Sequence, residues 1–346
     1  MNYLNSLEII RPDDWHTHLR EGDLLKCVIN SYSRVIGKCI VMPNLKNPIN
    51  KSSLGKEYKK EILSLINNKY FKPFLPCYLT DDIDSIDFEN ALKNEIFIGA
   101  KLYPINSTTN SSYGVSNIEN IYPSLESLVK FNKPLLIHGE KISEDISIFD
   151  REKYFIDDQL IKIINDFPNL KIVLEHVSSE YGANFVAQTN NIYGTITPHH
   201  MILTKKDVFK ENINAHHYCM PVVKEESDLV ALRNYACSGN EKFFIGTDSA
   251  PHDLKQKENT NEIMPGIFSA PCSIELYTEI FDQENSLNNL EKFTSINGAK
   301  FYNLEVNKDK IKLLREKWKI NQYTEYNNIK VKNFYGGNIL NWRIEN

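Results

Sequence analysis

The chain has 346 residues, 41 % apolar and 25 % charged, with a formal net charge of −5. This is ordinary globular composition, enough for one large core or two small ones. The acidic balance argues against nucleic acid or an anionic membrane as the main partner, since both favour basic patches.

Eight short apolar runs recur along the chain: "SLEII", "KCIVMPN", "KPFLPCYLT", "IFIGAKLYP", "KPLLIHGE", "LKIVLEHVS", "IYGTITPHH" and "KFFIGTDSAPH". Each reads as a strand. Between them lie helix candidates at 22–35, 52–67, 118–131, 157–166 and 225–238, the last with a start at Ser227. Apolar strands alternating with amphipathic helices predict parallel strands covered by helices. Eight such units predict a closed (β/α)8 barrel, with a doubly wound open sheet as the alternative. No Gly-x-Gly-x-x-Gly follows the first strand, which counts against a dinucleotide site. No linker of convincing length divides the chain, so residues 1–346 read as a single barrel domain. From about residue 305 the pattern becomes charged and Asn-rich. There "DKIKLLREKW" reads as a surface helix and "NNIKVKNFYGGNILNWRIEN" as a small appended strand pair.

The six cysteines, Cys27, Cys39, Cys77, Cys219, Cys237 and Cys272, form no Cys-x-x-Cys pair. They read as buried free thiols in a reducing compartment. No signal-peptide core opens the chain, and no run reaches the ~18 apolar residues of a membrane span. A cytoplasmic location is expected, with no membrane and no nucleic-acid partner.

The strand ends carry the chemistry. In "DDWHTHLR", His16 and His18 stand two apart, so an extended chain turns both to one face. The fourth strand carries Lys101, the fifth ends in His138, the sixth in His176 and the eighth in Asp248. In a (β/α)8 barrel the C-terminal strand ends share one rim, where active sites are built. Each residue alone has a bland reading: a polar terminus, a snorkelling lysine, a helix cap. Together they form a set of imidazole and carboxylate metal ligands. An ammonium beside metal cations would be repelled. Lys101 fits if its amine has reacted with carbon dioxide, giving a carbamate able to bridge two metals.

With "RPDDWHTHLR", "VMPNLKNP", "GAKLYP", "TTNSSYGV", "LLIHGE", "LEHVSS", "TPHHM" and "GTDSAPH" in this order, the chain resembles the amidohydrolase superfamily. Within it, the match is to the dihydroorotase family of the class II, single-function bacterial type. The resemblance covers roughly residues 5 to 304. It implies a zinc-dependent cyclic amide hydrolase that interconverts N-carbamoyl-L-aspartate and dihydroorotate, the third step of pyrimidine biosynthesis. It further implies two Zn²⁺ per chain. His16, His18 and Asp248 would hold one, and His138 and His176 the other. N6-carboxylated Lys101 and a hydroxide would bridge them, and Asp248 would shuttle the proton. Arg20, Asn44 and His252 would bind the substrate carboxylate, with Arg20 offering a planar fork suited to it. Thr108 and Thr109 would close over the substrate on a mobile loop. Backbone at Met220, Pro265 and Gly266 would read the ring, with His18 and His138 also at the substrate. Met220 stands where the family commonly has Leu, a change that a backbone contact survives. A homodimer is implied.

His199, His200, His216 and His217 receive no metal role, and structural positions are expected for them. The competing readings are a hydantoinase or dihydropyrimidinase type, whose substrates lack the ring carboxylate, a catalytically dead scaffold barrel, and a metal-dependent nuclease. The carboxylate-binding set opposes the first, the complete ligand set the second, and the acidic charge the third.

Overall fold

The computed structural model describes residues 4–66, 68–259 and 261–345. Asn67, at the end of the expected helix 52–67, lies outside the described residues.

The barrel is built from β2 (Asp14–Thr17), β3 (Lys38–Val41), β4 (Lys72–Phe74), β5 (Cys77–Tyr78), β6 (Ala100–Leu102), β7 (Leu135–Ile137), β8 (Ile172–Leu174), β9 (Ile192–Ile196) and β10 (Phe243–Ile245), after a separate first strand, β1 (Ser6–Ile10). Parallel pairing runs β2-β3-β4 and β5-β6-β7-β8-β9-β10. The expected strand "KPFLPCYLT" is broken into β4 and β5 around Leu75 and Pro76, where proline has no N–H for a ladder. Since β4 pairs with β3 and β5 with β6, this one segment joins the two parts. The ring closes where the Asp248 N–H donates to the His16 carbonyl (2.9 Å) and the His18 N–H to the Ser249 carbonyl (3.1 Å). The buried Asp14 carboxylate reinforces this seam, accepting from the Thr247 N–H (2.9 Å) and hydroxyl (2.6 Å). The eight-stranded parallel α/β barrel read from the strand–helix alternation is the fold.

The expected helices appear as Gly22–Ser33, Ser52–Ser64, Tyr122–Lys130 after a 3₁₀ turn, Arg151–Asp166 with one π turn, and Glu226–Cys237. The last is capped by Glu225 with Asp228, so its start lies before Ser227. Helices at Ser85–Lys93, Glu180–Gln188, Ser273–Gln283 and 287–301 complete the outer layer.

Three expectations are corrected. "SLEII" is not a barrel strand: only Ile9 is buried, and β1 pairs antiparallel with β11 (Lys310–Lys319) outside the ring. The first barrel strand is instead "DWHT", fully buried although polar, because its polar groups face the barrel centre and the closing seam. "DKIKLLREKW" is not a helix but most of β11. Its helix-favouring composition is overridden by pairing on both edges, with Ile311 and Leu313 alternating inward. The terminal segment does hold two strands, β13 (Ile329–Lys332) and β14 (Ile339–Ile344). They pair not with each other but with β12 (Tyr323–Tyr326) and β11.

All six cysteines are free and buried. No helix among the described residues is long and apolar enough to cross a membrane.

Candidate active site

The C-terminal ends of the barrel strands surround one cavity of about 20 Å³. His16, His18, Arg20, Asn44, Thr108, Thr109, His138, His176, Met220, Asp248, Pro265 and Gly266 line it, joined by Tyr103 and Ala250. Of the residues expected at the site from the sequence, Lys101 and His252 do not. Lys101 lies fully buried within β6, and His252 lines a neighbouring cavity.

His16 and His18 share a face, their ring centroids 5.3 Å apart, as strand alternation demands. Asp248 meets both, with Oδ1 3.3 Å from His16 Nε2 and 2.9 Å from His18 Nε2. Asp248 and His176 each sit at positive φ (43° and 42°), so the chain leaves the strand sharply and aims both side chains at the centre. His138 Nδ1 lies 3.1 Å from His176 Nε2.

Hydrogen bonds fix which ring nitrogens are free. Asn44 Nδ2 donates to the Thr109 carbonyl (2.9 Å), which turns Asn44 Oδ1 to His18 Nδ1 (2.9 Å). His18 must therefore carry its proton on Nδ1. Burial pushes its pKa down to about 3, so the ring is neutral and a bare Nε2 lone pair faces Asp248. His138 likewise places Nε2 against Glu140 Oε2 (2.8 Å), leaving a bare Nδ1 beside His176. His176 Nδ1 has no partner, and burial pushes this imidazole well below its ordinary value. Imidazole nitrogens and a carboxylate converging on one point are what a cation requires. The donor atoms of His16, His18 and Asp248 lie within 4.8 Å of one another, as do those of His16, Glu175 and His176. The donor set fits metal ions of nitrogen and oxygen preference.

Glu175 and Glu140 escaped the sequence reading. Glu175 is buried, with Oε1 3.1 Å from His16 Nδ1 and Oε2 in contact with Lys101 Nζ. Burial pushes the Lys101 amine well below its ordinary value, toward the neutral form that can react with carbon dioxide. The only sequence signal for either glutamate was its closeness to a histidine, in "LEH" and "HGE".

Arg20 has φ 62° and donates from Nε to the Pro251 carbonyl (3.1 Å). His252 Nε2 lies 3.2 Å from Arg20 Nη2 and 2.9 Å from the Pro265 carbonyl. A neutral ring satisfies only one of these, and the carbonyl demands the protonated nitrogen. Gly266 has φ 144°, and a Cβ there would meet the Ala250 carbonyl at 2.8 Å and His252 Nε2 at 2.9 Å, so only glycine fits. Over the cavity, the loop 105–114 is fastened by Thr109 and Asn110. The Asn110 amide donates to the Asn44 carbonyl (3.0 Å), and the Thr109 hydroxyl to that of Pro265 (3.4 Å). His216 and His217 lie away from this set on the neighbouring cavity, His216 against Glu258.

No protein-family model matches the chain. It is 40 % identical over 346 residues to the dihydroorotase of Buchnera aphidicola, covering 99 % of both chains. Among solved structures it resembles the Saccharomyces cerevisiae dihydroorotase in complex with 5-fluoroorotic acid (TM-score 0.92, 30 % identity, 99 % of both chains). It also resembles the Campylobacter jejuni dihydroorotase (TM-score 0.88, 33 % identity, all of both chains). An L-hydantoinase from Arthrobacter aurescens shares the fold alone, at 15 % identity and a TM-score of 0.79, over 97 % of this chain and 82 % of that one. Identity near 40 % along the whole length, on this barrel and this convergence of side chains, means that the chain belongs to the dihydroorotase family of amidohydrolases, hydrolases that act on a cyclic amide.

Proposed function

We propose that the chain is a two-zinc dihydroorotase that interconverts N-carbamoyl-L-aspartate and (S)-dihydroorotate plus water. The supporting observation is the pairing, across one cavity, of bare imidazole and carboxylate donors with the Arg20–Asn44 pair. His16, His18 and Asp248 would hold one ion, His138 and His176 the other, with carboxylated Lys101 bridging. When bound, two such ions acidify a shared water and polarise the amide carbonyl.

The chain's own groups do the rest. Asp248 takes the proton of the attacking water on a carboxylate oxygen and passes it to the departing ring nitrogen as the C–N bond breaks. Asn44 fixes the tautomer of His18, and Glu140 that of His138, so each ring turns its unprotonated nitrogen to the ion it would hold. Arg20 presents its fork to the substrate carboxylate, assisted by the Asn44 amide and His252, an arrangement without purpose for a neutral ring. Thr108 and Thr109 cap the substrate from the loop, and backbone at Met220, Pro265 and Gly266 reads the ring. The cavity under the fastened loop has room for about one water, so the loop lifts to admit substrate. A homodimer acting in the cytoplasm, with no nucleic-acid or membrane partner, completes the reading.

The test assays Arg20→Met on dihydroorotate and on dihydrouracil, which lacks the carboxylate, with metal content measured on the same samples. Loss of about 2–4 kcal/mol in kcat/KM on dihydroorotate, with little change on dihydrouracil, is expected. Equal loss on both would remove Arg20 as the carboxylate reader.

A further inference from the structure

Behind the active site, His199, His200 and Cys219 place one ligand atom each within 4.8 Å of one another, all three fully buried or nearly so. They come from two loops, the turn after β9 and the segment 218–223, at the seam where the barrel meets the C-terminal strands. Around them lies a small apolar core that includes Leu203, Val223, Ile267 and Phe334.

His199 is the telling residue. It is 0 % exposed, yet neither ring nitrogen has a partner. Two unsatisfied polar atoms in a closed apolar site are costly unless something binds them. His200 is held differently. Its Nδ1 meets the Thr197 hydroxyl at 2.8 Å, and its Nε2 lies 3.1 Å from the Pro221 carbonyl. The Cys219 thiol donates to the same carbonyl at 3.2 Å, so thiol and imidazole both direct a proton at one spot, and an ion there would take the place of both protons. The Thr197 contact is the type that orients a ligating histidine through its second nitrogen.

We propose that His199, His200 and Cys219 form a structural zinc site, separate from the catalytic pair. Cys219 binds as thiolate, its thiol proton passing to solvent. The imidazoles bind through neutral nitrogens, a state that burial favours for both. Two nitrogens and one sulfur suit zinc, whose ligand distances of about 2.0–2.3 Å require the three side chains to draw together. No side-chain hydrogen bond of His199 has to break for this. The Pro221 carbonyl stands ready as an oxygen donor. The ion would cross-link the two loops one residue before Met220, whose position lines the catalytic cavity. It would stiffen that wall without touching the reaction.

Cobalt substitution tests this in the intact protein. No cysteine lines the catalytic cavity among the described residues, so a sulfur-to-cobalt charge-transfer band reports this site alone. The wild-type protein should show the band and hold three zinc ions per chain. Cys219→Ser should lack the band, and Cys219→Ser and His199→Gln should each hold two. Lys101→Ala should lose catalytic metal and keep the band, which separates failure of this site from failure of the catalytic reading. Two zinc ions in the wild type with no band would overturn the proposal and leave His199 to buried water. A band that survives Cys219→Ser would overturn it equally. The wild-type spectrum decides the matter even where a variant folds poorly.

Discussion

His16 stands between two carboxylates, Glu175 on Nδ1 and Asp248 on Nε2, and the two acids have different work. Asp248 faces the cavity, so Asp248→Asn should retain the fold and lower kcat on dihydroorotate by about 10²–10⁴, measured beside metal content. A kcat within a few-fold of wild type would move the proton shuttle elsewhere. Glu175 sits beneath, against Lys101. In the metal-free protein Glu175→Gln replaces the carboxylate that meets the buried Lys101 amine with a weaker amide acceptor, and should cost about 1–3 kcal/mol in urea unfolding. A change below ~1 kcal/mol would mean that the contact carries no weight. The sequence made Asp248 legible because "GTDSAPH" ends a strand. Glu175 was not, because period-two alternation turns it away from His176. The positive φ at His176 breaks that alternation, and no residue type announces it.

At the scale of elements, two segments outside the strands lie beside the site. The loop 105–114 is latched through Asn110, which adopts φ 54° and donates to the Asn44 carbonyl. Asn110→Gly keeps that backbone freedom and removes the latch, worth about 0.5–1.5 kcal/mol. Faster hydrogen exchange across 105–114 and a raised KM are the expected outcome, and unchanged exchange would deny the latch. The short helix Leu254–Lys257 buries the Lys257 ammonium, which donates to the Tyr218 (2.9 Å) and Met264 (2.7 Å) carbonyls. Burial pushes its pKa from 10.5 to about 7. Between those values the unfolded chain binds more protons than the folded one, so this lysine makes stability rise with pH across that window. The slope approaches ~1.4 kcal/mol per pH unit, and below pH ~7 the full cost of burying the charge is present. Urea unfolding of Lys257→Met at several pH values should lose that slope, and a mutant that keeps it would exonerate the lysine. Neither device was legible. The loop composition named a loop but not its docking, and "LKQK" in isolation is a solvated turn of helix.

At the scale of the whole molecule, the two chain ends are woven together. β1 pairs with β11, and β11 with β14, so the extension is completed by the first strand of the chain. Trp342 on β14 is 0 % exposed and donates its indole N–H to Asp282 (3.1 Å) on the helix Ser273–Gln283, while Arg315 on β11 holds the same carboxylate at 2.6 and 2.7 Å. Most of the barrel was readable because parallel strands buried on both faces are continuous apolar runs, the polar first strand "DWHT" being the exception. The extension was not, because its charged, half-exposed strands show their period only once the partner is known. We propose that barrel and extension fold as one unit. Trp342→Ala opens the junction and should lower the stability of the entire chain by about 3–5 kcal/mol, with near- and far-ultraviolet signals still melting together. An early melting step confined to residues beyond 305, with the barrel transition and catalytic activity unmoved, would make the extension an independent domain and restrict its influence on the active site to contact at the seam.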